Sequence, residues 1–439
     1  MTFIYLLLIL NIVVSNRVIL AYRLSLAGMP INMIEGAILL TALYVLLVPI
    51  ETAPMDRTRR NYLWPIVSFW VVACSAGALL GFAEGAHSYR VIQMLKWSLK
   101  MPLSVVLGYF AVRRLRDVRR MIKFISFLSC IVCIIFVIRF SSGSAEYRVT
   151  QQSGVIRALH YNYDAMATIA IFVIYSAAVN PRFFSRVTGP VILTMSVIGV
   201  LATLTRSTIV SLAVSILAAI GVIPKGYRSY AWKALFTSGK WVVIAVVLAA
   251  LLSQFVLGVN VVGTIVGRFK GAEGAEGSAV TRWEGAINEL KIWLGSTIIF
   301  GRGFGTVQEA WDPDIMGSWG HNGYTATLAK IGIVGFVAMI YPAFVAIHIG
   351  RRMVRQIDPD VRAAGTLMMA GAFYLAILSF LSSGFATESS GVFFGLIMGM
   401  GVKCYRFQVV PQTVEQQSEE YYWHEQQLQT TGGAYEMYG

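Results

Sequence analysis

Apolar runs of about 17 to 25 residues, the length that crosses a hydrocarbon core, recur along the whole chain. They are separated by short polar stretches. Twelve are predicted as helices, at 2–22, 31–49, 64–82, 91–112, 121–139, 163–179, 188–204, 207–223, 240–258, 323–349, 363–383 and 388–402. The first is read as a retained helix rather than a cleaved leader, since no basic stretch precedes it and no small-residue cleavage site follows. The pattern therefore predicts an all-α polytopic membrane protein of about twelve spans. A bundle of about nine spans at 1–258 is followed by a large loop at 259–321. Three C-terminal helices at 322–402 complete the same domain, and a polar tail occupies 403–439. Rich in Gln, Glu and Tyr and without apolar periodicity, that tail is expected to be disordered. No internal repeat is visible, nor a matched pair of broken helices in two halves such as many transporters carry.

Composition agrees with this pattern. Of the 439 residues 56% are hydrophobic and 13% charged, and the mean hydropathy is +0.66, which excludes an ordinary soluble domain. Basic residues gather in alternate loops: Arg57, Arg59 and Arg60; Arg113, Arg114, Arg116, Arg119 and Arg120; Arg182 and Arg186; Lys225, Arg228 and Lys233; Arg351, Arg352, Arg355 and Arg362. The positive-inside rule makes these loops cytoplasmic, which puts both termini inside and the large loop outside. The formal charge of +14 is then explained by an anionic inner leaflet, with no nucleic acid required. Cys74, Cys130 and Cys133 fall inside spans and Cys404 at an inner end. The C-x-x-C spacing of Cys130 and Cys133 lacks a second ligand pair, so packing is the expected role.

The large loop has internal structure of its own. Gly271-Ala-Glu-Gly-Ala-Glu-Gly277 reads as a flexible stretch, and Thr281-Arg-Trp-Glu284 as a helix start. From there Trp283, Ile287, Leu290 and Leu294 recur at helical spacing, with Arg282, Glu289 and Lys291 elsewhere on the wheel. An amphipathic helix on the outer surface is predicted. Ile299-Phe-Gly-Arg-Gly-Phe-Gly305 then suggests a tight turn, or backbone N–H groups available to an anion. Another outer loop is expected at 140–162.

Candidate chemistry collects at the outer boundary. Arg206 sits in the short turn between the seventh and eighth spans, Arg282 in the amphipathic helix, and Lys96 and Lys100 in the outer half of the fourth span. Arg302 lies among the glycines, and His321 and Asn322 lie where the loop meets the tenth span. Ionisable groups in or beside spans usually face a polar cavity or a partner, and arginines suit a diphosphate. Snorkelling to lipid headgroups is the alternative for Arg206, Arg282 and the lysines. Glu35, Asp164 and Glu388 are candidate counter-ions. Asp312-Pro-Asp314 has the D-x-D spacing of metal-dependent glycosyltransferases, but Asp358-Pro-Asp360 repeats it on the cytoplasmic side, so turns are the expected role.

His321, Asn322, Gly332 and Gly335 reproduce the spacing His, Asn/Ser/Gln, nine residues, Gly, two residues, Gly/Thr/Tyr. With Thr205-Arg206-Ser207 and Arg282 before the glycine turn, the chain resembles the O-antigen ligase and O-antigen polymerase superfamily of bacterial membrane enzymes. The resemblance covers the order of elements from about 188 to 400 and the twelve-span topology. It implies transfer of an undecaprenyl-diphosphate-linked glycan to an acceptor hydroxyl on the periplasmic face of the inner membrane, with inversion at the anomeric carbon. His321 would act as general base, and Arg206 and Arg282 would hold the leaving diphosphate. Asn322, Lys96, Lys100 and Arg302 would contact substrate, with no metal and no cofactor. The implied partners are that lipid-linked donor, a glycan or lipid A core acceptor, membrane lipids and other polysaccharide assembly proteins. Ala286 stands where ligases often carry Leu, which leans the reading to a polymerase of exopolysaccharide or O-antigen over a ligase. The rival from another class is a flippase or other transporter, which should break its helices and place charges near the bilayer midplane.

Overall fold

In a computed structural model the described residues are 2–14, 23–26, 29–47, 54–56, 58–141, 163–185, 187–203, 205–257, 272–306, 322–382 and 388–407. They form α1 (Thr2–Ile12), a two-stranded antiparallel hairpin of β1 (Arg23–Leu26) and β2 (Met29–Asn32), and twelve further helices. These are α2 (Met33–Leu47), α3 (Leu63–Ala83), α4 (Ser88–Ala111), α5 (Leu115–Ser141), α6 (Tyr163–Val179), α7 (Thr188–Ala202), α8 (Arg206–Val222), α9 (Lys225–Leu257), α10 (Ala272–Leu294), α11 (Gly323–Met353), α12 (Pro359–Leu381) and α13 (Glu388–Tyr405). Each predicted span falls on one of these helices, and α10 is the surface helix expected in the large loop. Three helices, α3, α11 and α12, are long and apolar enough to cross a membrane, and five more are shorter and apolar. This is an all-α membrane protein with one small hairpin.

The inside and outside of the bundle are both apolar, as a lipid solvent requires. Leu43, Val72, Leu79, Phe127, Val243 and Phe344 stand out from the helices, more than half exposed. Nearly every residue of α6 is buried, and so are the described side chains of α13 up to Cys404. These two helices and α12 form the centre. Close approach of α4 and α13 depends on small residues: a Cβ on Gly108 would strike the Leu396 carbonyl, and one on Gly399 the Val105 carbonyl. Such small-residue contacts replace the hydrophobic effect as the source of packing between helices in lipid.

Helix ends sort into two groups. At the arginine-rich end Arg59 donates to the Tyr405 carbonyl (2.7 Å), Arg352 to the Tyr405 hydroxyl (3.2 Å) and Arg406 to the Tyr109 hydroxyl (2.8 Å). Asp358 accepts from the Asp360 and Val361 amides and Asp360 pairs with Arg119 at 2.6 Å, so this D-x-D is a helix cap with an ion pair. The opposite end holds the starts of α2, α4, α6, α8, α11 and α13.

Expectation and structure differ at five places, at one of them only as far as the described residues reach. The helix in the large loop starts at Ala272, not near Thr281, so Ala272-Glu-Gly-Ala-Glu-Gly277 is helical; its alanines and glutamates favour a helix enough to carry two glycines. α9 begins at Lys225, about 50 Å before its end at 1.5 Å per residue, so the expected basic loop around Lys225, Arg228 and Lys233 is its first turns. α1 is helical only to Ile12, and residues 15–22 of the predicted first span lie outside the described residues. The hairpin at 23–32 was not anticipated, because four-residue strands leave no readable alternation. Finally, Gly332, which the sequence places inside an unbroken span at 323–349, breaks α11 at φ 63° and ψ −158°.

That break is repaired by the glycine-rich turn. A continuous helix would bond Ile333 N–H to the Ala329 carbonyl and Val334 N–H to the Lys330 carbonyl. Here those carbonyls accept from Arg302 N–H (2.9 Å) and Gly303 N–H (2.8 Å), while Ile333 and Val334 donate to the carbonyls of Ile298 (3.2 Å) and Ile299 (3.1 Å). Two helical bonds are exchanged for four to a strap at 297–305, which leaves no orphan in the hydrocarbon.

Candidate functional site

The strap also fixes α3 and α4. Phe304 N–H donates to the Gly77 carbonyl at 2.8 Å and Gly305 N–H approaches Met94 Sδ at 3.0 Å. Gly301 N–H turns back to the Thr297 carbonyl. The amides of residues 301–305 are thus all engaged, which overturns the option that they cradle an anion. Arg302 presents an exposed side chain on the strap.

Asn322 caps α11. Its Oδ1 accepts from the Tyr324 amide (2.9 Å) and the Thr325 amide (3.2 Å), and its Nδ2 donates to the Phe380 carbonyl (3.1 Å). The cap thus occupies the side-chain carbonyl and leaves one amide hydrogen of Asn322 uncommitted among the described residues. His321, directly before it, lies outside the described residues, as do Asp312, Asp314 and the loop at 142–162. Arg282 lies in α10, and its side chain, like that of Glu388, is outside the description.

Lys96 and Lys100 share a carboxylate. Glu35 Oε1 lies 3.1 Å from Lys96 Nζ and 2.7 Å from Lys100 Nζ, so Glu35 is their counter-ion. Glu35 is held by a reciprocal cap in which Asn32 Oδ1 accepts its amide (3.0 Å) and its Oε2 accepts the Asn32 amide (2.9 Å). Lys100 is 3% exposed and Lys96 31%. Removing the carboxylate takes the ion pair from a buried ammonium, and breaking a buried pair costs about 3–5 kcal/mol, whereas Lys96 can reach solvent. Glu35→Gln is therefore expected to lower the melting temperature of the detergent-solubilised protein well below that of Lys96→Gln. Equal melting temperatures would count against this account.

Asp164, at the start of α6, does not meet the cation expected of it. Among the described residues it binds hydroxyls rather than a cation: Tyr374 Oη donates to Oδ1 at 2.8 Å, and Ser390 Oγ contacts Oδ2. Tyr374 also lies beside Thr208, on the first turn of α8. Arg206 opens that same turn. It is half-buried, and among the described residues no hydrogen bond or ion pair holds its guanidinium.

The last turns of α12 join these parts. Tyr374 touches the start of α8, Ala376 accepts from Tyr324 Oη (2.6 Å) and Phe380 accepts from Asn322. The starts of α8 and α11, which carry Arg206 and Asn322, therefore pack on one stretch of one helix. Lys96 and Lys100 lie on the α2/α4 side.

Two buried groups escaped the sequence reading as site residues. Lys330, 1% exposed, lies two residues before the break, and Glu289, 2% exposed, is the buried carboxylate of α10. Lys330 stands alone in an apolar run, which is the signal that could have found it. Glu289 had been placed away from the apolar stripe with no partner foreseen. All four cysteines are free thiols, and among the described residues no group of three His, Cys, Asp or Glu side chains could hold a metal.

No known protein family matches this chain, and no curated protein matches it.

Proposed function

We propose that the protein is a membrane glycosyltransferase of the O-antigen polymerase and ligase kind, polymerising lipid-diphosphate-linked repeat units on the outer face of a bacterial inner membrane. In this reading the chain spans the membrane twelve times with both termini cytoplasmic. The observation that carries it is Arg206: a half-buried cation without a partner among the described residues, at the same end of the bundle as the start of α11. A half-buried arginine is costly near lipid unless it awaits an anion.

Arg206 and Arg282 bind the donor diphosphate and stabilise the charge it gains on leaving. His321 takes the proton from the acceptor hydroxyl, whose oxygen attacks the anomeric carbon as the bond to diphosphate breaks. The acceptor is the sugar of another lipid-linked repeat unit.

The broken helix favours a second reading, transport, because a discontinuous helix beside a buried Lys330 is a device of carriers. Against it, the carbonyls freed at Gly332 are occupied by the strap and cannot coordinate a passing ion.

The test is to incubate reconstituted protein with a synthetic lipid-diphosphate-linked repeat unit, with and without lipid A core. Polymer without core supports the polymerase; product only with core supports a ligase. Movement of intact lipid across vesicles without a new glycosidic bond would favour transport and sink the enzyme reading. Arg206→Ala and His321→Ala are each expected to insert normally and lose about a hundredfold in rate, or about 3 kcal/mol of transition-state stabilisation. Normal rates in both would exclude the assigned mechanism.

A further inference from the structure

The face that α10 packs on the bundle is not its apolar stripe. Trp283 and Leu294 are 68% and 64% exposed, whereas Glu289 is 2% exposed. The Glu289 carboxylate accepts a hydrogen bond from Thr325 Oγ1, on the first turn of α11, and acts electrostatically on Lys330, five residues further on. Both charges are enclosed between a surface helix and the first half of a broken one. That half, residues 323–331, is itself held firmly: Asn322 caps its start, and the strap holds the Ala329 and Lys330 carbonyls at its end.

Two buried charges of this kind contribute little net stability, because desolvation offsets their attraction. What it can supply is a single register, since sliding α10 by one turn would leave both charges buried and unmatched. Position 282 precedes 289 by seven residues, two helical turns or about 10 Å, and so shares its face of α10. The register of Glu289 on Thr325 and Lys330 thereby sets where position 282 stands relative to the start of α11.

We propose that Glu289 and Lys330 are positioning residues, a buried latch that seats α10 on α11 and so places the diphosphate-binding arginine of that helix. The role given to Arg282 rests on the function proposed above; the latch does not.

The test is hydrogen exchange by mass spectrometry on the full chain in lipid nanodiscs. In Glu289→Gln and Lys330→Met, amide exchange across residues 283–294 is expected to rise at least about tenfold, with α6 and α12 unchanged. The reversed pair, Glu289→Lys with Lys330→Glu, should restore protection. Thr325→Val, which removes only the hydroxyl donor, should give a smaller rise and serves if the charge variants fail to insert. Unchanged exchange in α10, or an equal rise in every helix, overturns the latch. On the lipid-linked repeat unit, the single variants should raise the donor KM about tenfold with a smaller change in kcat, and the reversed pair should recover it. If α10 is released while transfer stays normal, the latch stands and the role of Arg282 falls.

Discussion

Gly332→Ala is expected to destabilise this protein severely. At φ 63° an L-residue is strained by about 1–2 kcal/mol. The new Cβ would also meet the Ile299 carbonyl and the Gly301 amide nitrogen, which are backbone atoms of the strap and cannot swing aside. Displacing the strap removes four hydrogen bonds across the break, each worth about 0.5–1.5 kcal/mol and more where the freed groups meet lipid. The sum is at least about 3 kcal/mol, or a melting temperature lower by about 3 °C or more at roughly 1 °C per kcal/mol for a chain of this length. Gly85 is the control: its φ is 73° but nothing lies within 4 Å of an added Cβ, so Gly85→Ala should cost only the backbone strain. Thermal denaturation followed by size-exclusion chromatography in detergent would separate the two. A Gly332→Ala protein melting within about 2 °C of the parent would mean that the strap does not hold the broken helix.

Asp164→Ala should be nearly as harmful for a different reason. The carboxylate accepts from Tyr374 and Ser390, and all three side chains are buried, at 5% exposure or less. Its removal leaves two hydroxyls without their acceptor, at about 1–3 kcal/mol each, or about 2–6 kcal/mol together. Removing the hydroxyls as well, in Asp164→Ala with Tyr374→Phe and Ser390→Ala, should recover much of that loss, because the two groups that lose Asp164 as acceptor are then gone. The same thermal assay decides it: a triple variant less stable than the single one would show that cavities, not orphaned hydroxyls, set the cost. Tyr374 also lies beside Thr208, two residues from Arg206. Asp164→Ala is accordingly expected to weaken any anion binding at Arg206 even in the fraction that folds.

Much of this architecture is legible along the chain. Twelve apolar runs fall on twelve helices, three of them long and apolar enough to cross a membrane, since backbone hydrogen bonds in lipid must close within a helix or a closed barrel. Arginine clusters mark one set of helix ends, and Glu35, one of three candidate counter-ions, is found paired with Lys96 and Lys100. The surface helix in the long loop is visible too, though its glycine-containing first turns are not, because propensity near a low-complexity stretch is a weak guide.

What only the tertiary structure decides is where backbone meets backbone across distant segments. Gly332 reads the same along the chain whether it lets a neighbour approach or breaks a helix. The difference lies in four hydrogen bonds from residues 298–303, about thirty positions earlier, and no local pattern encodes them. Likewise the turn at Gly301, Gly303 and Gly305 offers its amides to an anion or to carbonyls with equal ease, until the carbonyls of Ala329, Lys330 and Gly77 arrive. Hydropathy fixes which segments enter lipid because that choice is made residue by residue against the solvent. The bond of Glu289 to Thr325 and the seat of Arg206 beside the end of α12 depend on how those segments pack, and packing is a property of surfaces that the sequence does not place together.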